Sequence, residues 1–134
     1  MKKTNNKGFS LVELIVVIAI MAVLIGVLAP TFTKYVEQSR RSTDIQNAEQ
    51  IKAAITVAMA TGETGFTSAL NAVDASTLTI PNISSVPDVQ GNVVASGKFT
   101  VTSNPTDGSC KVMVGAYDLT DPAQAKTYKD YVAP

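Results

Sequence analysis

Ser10 and Glu13 stand three positions apart at the head of the longest apolar run in the chain, and Glu13 is the single charge inside that run. A Ser-x-x-Glu pair at a helix start fits a capping box, in which the serine hydroxyl and the acid satisfy each other's exposed backbone amides. The helix dipole favours an acid there as well. A carboxylate near the end of a membrane-length helix costs less than one at its centre, where a charge costs about 2.5–3.5 kcal/mol. Elsewhere, groups able to do chemistry are scarce. The chain has no histidine, and Cys110 is its one cysteine. Histidine acid–base chemistry, Ser-His-Asp or Cys-His nucleophilic sites and the usual zinc ligand sets all require types that are missing. No disulfide can form within one chain. Asp118 and Asp121 are two carboxylates three apart, too few for calcium, and read as turn acids. No catalytic, cofactor-binding or metal site is expected, and the chain is read as a non-enzyme.

The element that must position Glu13 is long. Between Phe9 and Thr33, 19 of 25 residues are apolar, and from Leu14 to Thr33 there is no charge. At about 1.5 Å per residue the uncharged stretch spans roughly 30 Å of helix, the hydrocarbon thickness of a bilayer. Lys2, Lys3 and Lys7 precede it without an acid, whereas Lys34, Arg40 and Arg41 are offset by Glu37 and Asp44. That asymmetry keeps the N-terminus in the cytoplasm and sends the rest outward. An ordinary secretory signal has an apolar region of only about 7–15 residues and no internal acid. Pro30, which follows Val27-Leu28-Ala29, would also block cleavage there.

The run Lys7-Gly8-Phe9-Ser10-Leu11-Val12-Glu13-Leu14, at the head of this apolar helix, resembles the class III signal of type IV prepilins and pseudopilins. Gly26 and Pro30 stand where such pilins often carry glycine and proline. The resemblance covers about residues 1–34. It implies that a prepilin peptidase/methyltransferase cuts between Gly8 and Phe9 and methylates the new Phe9 amine, leaving the helix attached. Removing three lysines with the leader takes a formally neutral chain to a net charge of −3. It also implies that Glu13 meets the Phe9 amine of a neighbouring subunit during assembly. Both groups are costly alone in an apolar filament core, and pairing removes both penalties. Capping and pairing use different lone pairs, so both readings of Glu13 stand.

Proline at 30 takes the amide donor from the carbonyl of Gly26, itself a poor helix former by about 0.8–1.0 kcal/mol against alanine. Residues 26–30 are thus a helix weak point. One reading is a tolerated membrane-helix kink; the other is local melting during filament packing.

Beyond Pro30 the pattern becomes amphipathic. Ile45, Ala48, Ile51, Ile55, Ala58 and Met59 recur at spacings near three and four, with Glu37, Arg40, Arg41, Asp44, Glu49 and Lys52 as polar interruptions. Thr61-Gly62 predicts the stop, giving a helix of roughly 50 residues. From there to residue 97 the chain is rich in Ser, Thr, Asn, Gly and Pro. Phe66–Val73 reads as a short helix and Thr77–Ile80 as a short extended piece. Phe99–Thr102 and Cys110–Val114 alternate around the turn Asn104-Pro105-Thr106-Asp107-Gly108, which predicts an antiparallel hairpin with Val93-Val94 as a third strand. Phe99, Val101, Cys110, Val112 and Val114 should face the helix, and Tyr117, Leu119, Tyr128 and Tyr131 should cover an edge or a partner surface. Cys110 reads as a small buried strand residue. Asn82-Ile83-Ser84 is formally a glycosylation sequon, a pattern frequent by chance.

The expected fold is α+β and pilin-like: a long N-terminal helix packed on a small antiparallel sheet. The segments are a leader at 1–8, a membrane and filament-core helix at 9–34, an amphipathic helix at 35–61, and loops with the sheet at 62–134. The resemblance implies a structural subunit of a type IV pilus, serving adhesion, motility or DNA uptake. Its alternative is a pseudopilin of a type II secretion or competence machine. Major secretion pseudopilins usually carry a tryptophan near the C-terminus, and this chain has none. Many pilins close a C-terminal loop with two cysteines, so that loop and its adhesive role do not carry over. A membrane-anchored binding module is a third reading. Expected partners are further copies of the chain, minor pilins, the peptidase, an assembly platform and ATPase, and the cytoplasmic membrane. The balance of 11 basic and 11 acidic residues predicts no specific nucleic-acid partner.

Overall fold

The computed structural model describes residues 8–95 and 97–132, so the leader lysines Lys2, Lys3 and Lys7 lie outside the described residues. The helix α1 spans Leu11–Thr61 and contains Pro30. Its end follows from glycine. Gly62, at φ +70°, reverses the backbone, so that its own N–H reaches the Met59 carbonyl (3.3 Å) and the Glu63 N–H reaches that of Ala58 (2.9 Å). This is a Schellman cap, which satisfies two of the carbonyls left over at a helix end.

Two compact units divide the chain between Val36 and Glu37. In the first, every large apolar side chain from Phe9 to Tyr35 is at least 49% exposed. In the second, one stripe of α1 is buried: Arg41, Asp44, Ala48, Ile51, Ile55 and Ala58. Their spacing alternates three and four, which keeps them on one face. Arg41 and Asp44 are therefore the polar end of the inward stripe rather than interruptions of it, a correction to the sequence reading.

Four antiparallel strands form the sheet in the order β1 (Leu70–Asp74), β2 (Phe99–Asn104), β3 (Ser109–Val114), β4 (Tyr117–Asp118). The β2–β3 hairpin is as expected, with Phe99 opposite Val114 and Asn104 opposite Ser109. Asn104 Oδ1 accepts from the Thr106 N–H (3.0 Å) and Asp107 Oδ1 from the Ser109 N–H (2.8 Å), so side chains replace ladder bonds across the turn. Phe99, Val101, Cys110, Val112 and Val114 share one core with Ala48, Ile51, Ile55 and Ala58 of α1.

The third strand is β1, not Val93-Val94, and Phe66–Val73 is not a helix. A one-residue bulge separates the pairs Leu70–Ser103 and Val73–Val101, with Ala72 at φ +49° and its N–H donated to Thr102 Oγ1 (3.1 Å). The bulge breaks the period of two, which hid the strand. Val93 and Val94 lie in a turn and pack partly buried on the core. Thr77–Ile80 forms no strand; Ala75–Thr77 is a single 3₁₀ turn capped by Asp74, with Leu78 extended beyond it. The chain's end also departs from expectation. A second helix, α2 (Pro122–Lys129), starts from an Asp121 cap, and Leu119 and Tyr128 are fully buried in the core. The Tyr117 and Tyr128 rings meet edge-on, 5.6 Å apart.

Candidate functional site

The head of α1 is built by its own residues. Ser10 precedes the first helical turn; its hydroxyl accepts from the Glu13 N–H (3.3 Å), and Glu13 Oε2 accepts from the Ser10 N–H (2.8 Å). The reciprocal box fixes the Glu13 side chain through one oxygen. The other, Oε1, accepts no hydrogen bond among the described residues. Glu13 is thus a helix cap with acceptor capacity left over. Next to it Phe9 is 93% exposed, and Gly8 is exposed with open space where a side chain would stand. The peptide bond between them thus joins two exposed residues.

Behind that head, α1 is long and apolar enough to cross a membrane, and the most apolar window of the helix has none of its residues buried. Fully burying one Leu, Ile, Val, Phe or Met side chain is worth about 1.5–3 kcal/mol. The helix remains continuous through Gly26 and Pro30, and Thr33 Oγ1 donates to the Pro30 carbonyl (3.0 Å). Of the expected residues, Ser10 and Glu13 are brought into contact, while Gly26 and Pro30 lie along the same helix.

A second cluster was not foreseen. Asp44 Oδ1 accepts from the Gln90 N–H (2.8 Å), and Oδ2 from the Gly91 N–H (2.8 Å) and the Tyr128 hydroxyl (2.7 Å). Arg41 donates to the carbonyls of Lys129 and Tyr131 and to Asn92 Oδ1 (2.7 Å). One turn of α1 thereby ties down both a loop and the C-terminal segment. Burial, followed by the hydrogen bond to Asp44, pushes the Tyr128 phenol well above its ordinary range, so it stays a neutral donor. The residues are linked to one another by hydrogen bonds and form a structural lock. Its sequence signal was the register of 41 and 44 with 48, 51, 55 and 58.

Cys110 is buried, and burial pushes its thiol up to about 11. Asp118 accepts from Thr120, and Asp121 caps α2, so both act as turn acids. No group of three or more metal-ligating side chains occurs among the described residues.

Comparison with known proteins converges on the head of α1. Residues 3–29 match the prokaryotic N-terminal methylation motif. Prepilin peptidase-dependent protein A of Clostridium perfringens is 31% identical over 127 residues, covering 95% of this chain and 78% of that protein. The type IV major fimbrial protein FimA of Dichelobacter nodosus is 32% identical over 63 residues, 47% of this chain and 40% of FimA. No solved structure matches. Because the similarity runs from the methylation motif through nearly the whole chain, the protein belongs to the type IV pilin and prepilin-like family.

Proposed function

We propose that the chain is a structural subunit of a type IV pilus. It is cut between Gly8 and Phe9 by a prepilin peptidase, methylated at Phe9, and polymerised through α1 into a surface filament. The observation that carries this reading is the exposed apolar surface that runs from Phe9 along α1 to Tyr35, with a capped acid at its head. Such a surface needs a bilayer first and other copies of the helix afterwards. In this reading 1–8 is the leader, 9–34 the membrane and filament-core helix, 35–61 the amphipathic helix, and 62–134 the loops and sheet of the outer shell. The subunit waits as a single-pass membrane protein with its N-terminus inside, and minor pilins, an assembly platform and an ATPase carry it into the fibre. Glu13, through its spare oxygen, receives the Phe9 amine of the next subunit, and residues 26–30 are where the helix yields most easily.

The test is the mass of the N-terminal peptide, taken from sheared surface filaments and from membranes in parallel. A methylated Phe9 terminus abundant in the sheared fraction is the expected result. The same terminus confined to membranes shifts the assignment to a pseudopilin of a secretion or competence machine. An intact leader in both fractions overturns the processing and favours a membrane-anchored binding module.

A further inference from the structure

Between the 3₁₀ turn at Ala75–Thr77 and the loop that follows it lies a cleft of about 340 Å³, the size of a small-ligand site. Its floor is aliphatic: Leu78, Ile83 and Val86 line it and also pack against the core. The other lining residues, Ser76, Thr79, Ser84 and Ser85, are exposed and each carries a hydroxyl. Both flanks are held in place. Asp74 caps the 3₁₀ turn by accepting from the Ser76 N–H (2.9 Å), and the Ile83 N–H closes a turn on the Ile80 carbonyl (3.2 Å). The cleft is therefore formed before anything enters it.

Its hydrogen-bonding capacity is largely unused. Ser76 Oγ donates to Asp74 Oδ1 (2.7 Å), which leaves its lone pairs free to accept. The hydroxyls of Thr79, Ser84 and Ser85 have no partner among the described residues, and neither do the backbone N–H groups of Ser84, Ser85 and Val86. Each hydroxyl can donate and accept. No charged side chain lines the cleft, and the Asp74 carboxylate is already paired with Lys98 (2.7 Å). An anion or a cation would find no counter-charge there. No aromatic ring lines it either, so a planar base has nothing to stack on. What fits is an uncharged molecule with hydroxyls on one side and C–H groups on another, which is the surface of a pyranose ring.

We propose that this cleft binds a neutral sugar residue, its hydroxyls on Thr79, Ser84 and Ser85 and its C–H face on Leu78, Ile83 and Val86. For a ligand of that size without a stacking partner, the dissociation constant is on the order of 1 mM. In a filament whose outer shell is 62–134, one such site on every subunit turns weak affinity into avidity for a glycan-coated surface. Only that multivalency rests on the pilus reading; the site belongs to the single chain.

The test is an NMR titration of the full chain in dodecylphosphocholine micelles, a detergent with no sugar headgroup. The probes are glucose, galactose and N-acetylglucosamine, set against the charged sugars glucosamine and N-acetylneuraminic acid. At least one neutral sugar should give saturable shifts of the amides at 76–79 and 83–86, and the charged sugars should bind more weakly. Thr79→Val removes a hydroxyl at nearly constant shape and should weaken binding about threefold to tenfold. Ser85→Trp fills the cleft and should abolish binding, whereas Thr106→Val in the β2–β3 turn should leave it unchanged. Absence of saturation by every neutral sugar at concentrations on the order of 50 mM overturns the proposal. So do shifts confined to other residues, tighter binding of a charged sugar, or an equal loss from T106V. No filament is needed for this readout, so its failure leaves the N-terminal processing test untouched, and failure of that test leaves the cleft standing.

Discussion

Gly91 shows how much one missing side chain settles. A Cβ there would lie 2.7 Å from the Tyr128 hydroxyl, 2.8 Å from Asp44 Oδ2 and 2.8 Å from Arg41 Cγ, all held in place by the lock. Gly91→Ala should therefore destabilise the fold by about 1–3 kcal/mol, measured by urea denaturation in detergent micelles, although it adds only a methyl group. Asp74 shows the opposite case, a surface group. The hydrogen bond from Lys98 (2.7 Å), followed by those from Ser76, holds its carboxyl at about 2 rather than 3.8. A depressed folded value means that the contribution is complete above about pH 4 and is lost as pH falls through about 2. Lys98→Ala should move the Asp74 midpoint part of the way back up, as read by a carboxyl NMR titration, since the Ser76 bonds remain. The pair is exposed, so its weight in stability is small and is screened by salt.

At the scale of elements, α1 serves two surroundings with one continuous helix, and its capping box is where shape and assembly separate. Glu13→Ala should leave membrane insertion and Gly8–Phe9 cleavage intact but reduce sheared filament yield severalfold. Ser10→Ala should cost only the cap, about 1 kcal/mol, with a smaller loss of yield. Immunoblots of processed chain against sheared filament check both, and normal yield from Glu13→Ala refutes its pairing role. How legible each element was depended on whether it followed one period. The apolar run, the Gly62 stop and the β2–β3 hairpin were readable because composition, spacing and turn chemistry agreed. β1 was hidden by its bulge at Ala72. The polar end of the α1 stripe was missed because a charge was taken to mean solvent, whereas Asp44 is buried under three donors. The α2 start, Asp121-Pro122, carried a cap and an N1 proline in the sequence. At only eight residues, α2 showed no long apolar pattern to draw attention to it.

For the molecule as a whole, the core drawn from Ala48 to Tyr128 lies entirely beyond Glu37. A chain beginning at Glu37 should thus fold alone, remain in solution without detergent and melt in one cooperative transition followed by circular dichroism. Loss of that transition would show that the apolar half of α1 supports the domain. The lock has a further consequence in time. Synthesis runs from the N-terminus, so Arg41 and Asp44 are made 84 to 90 residues before the Tyr128 and Tyr131 groups they hold. Until those last residues leave the ribosome, a buried arginine and a buried aspartate have no complete set of partners, and the domain cannot close. The apolar half of α1 is therefore complete long before the domain that follows it can fold. In the proposed reading, where the chain is threaded outward across a bilayer, that order of events is needed, and it follows from where two side chains sit on one helix.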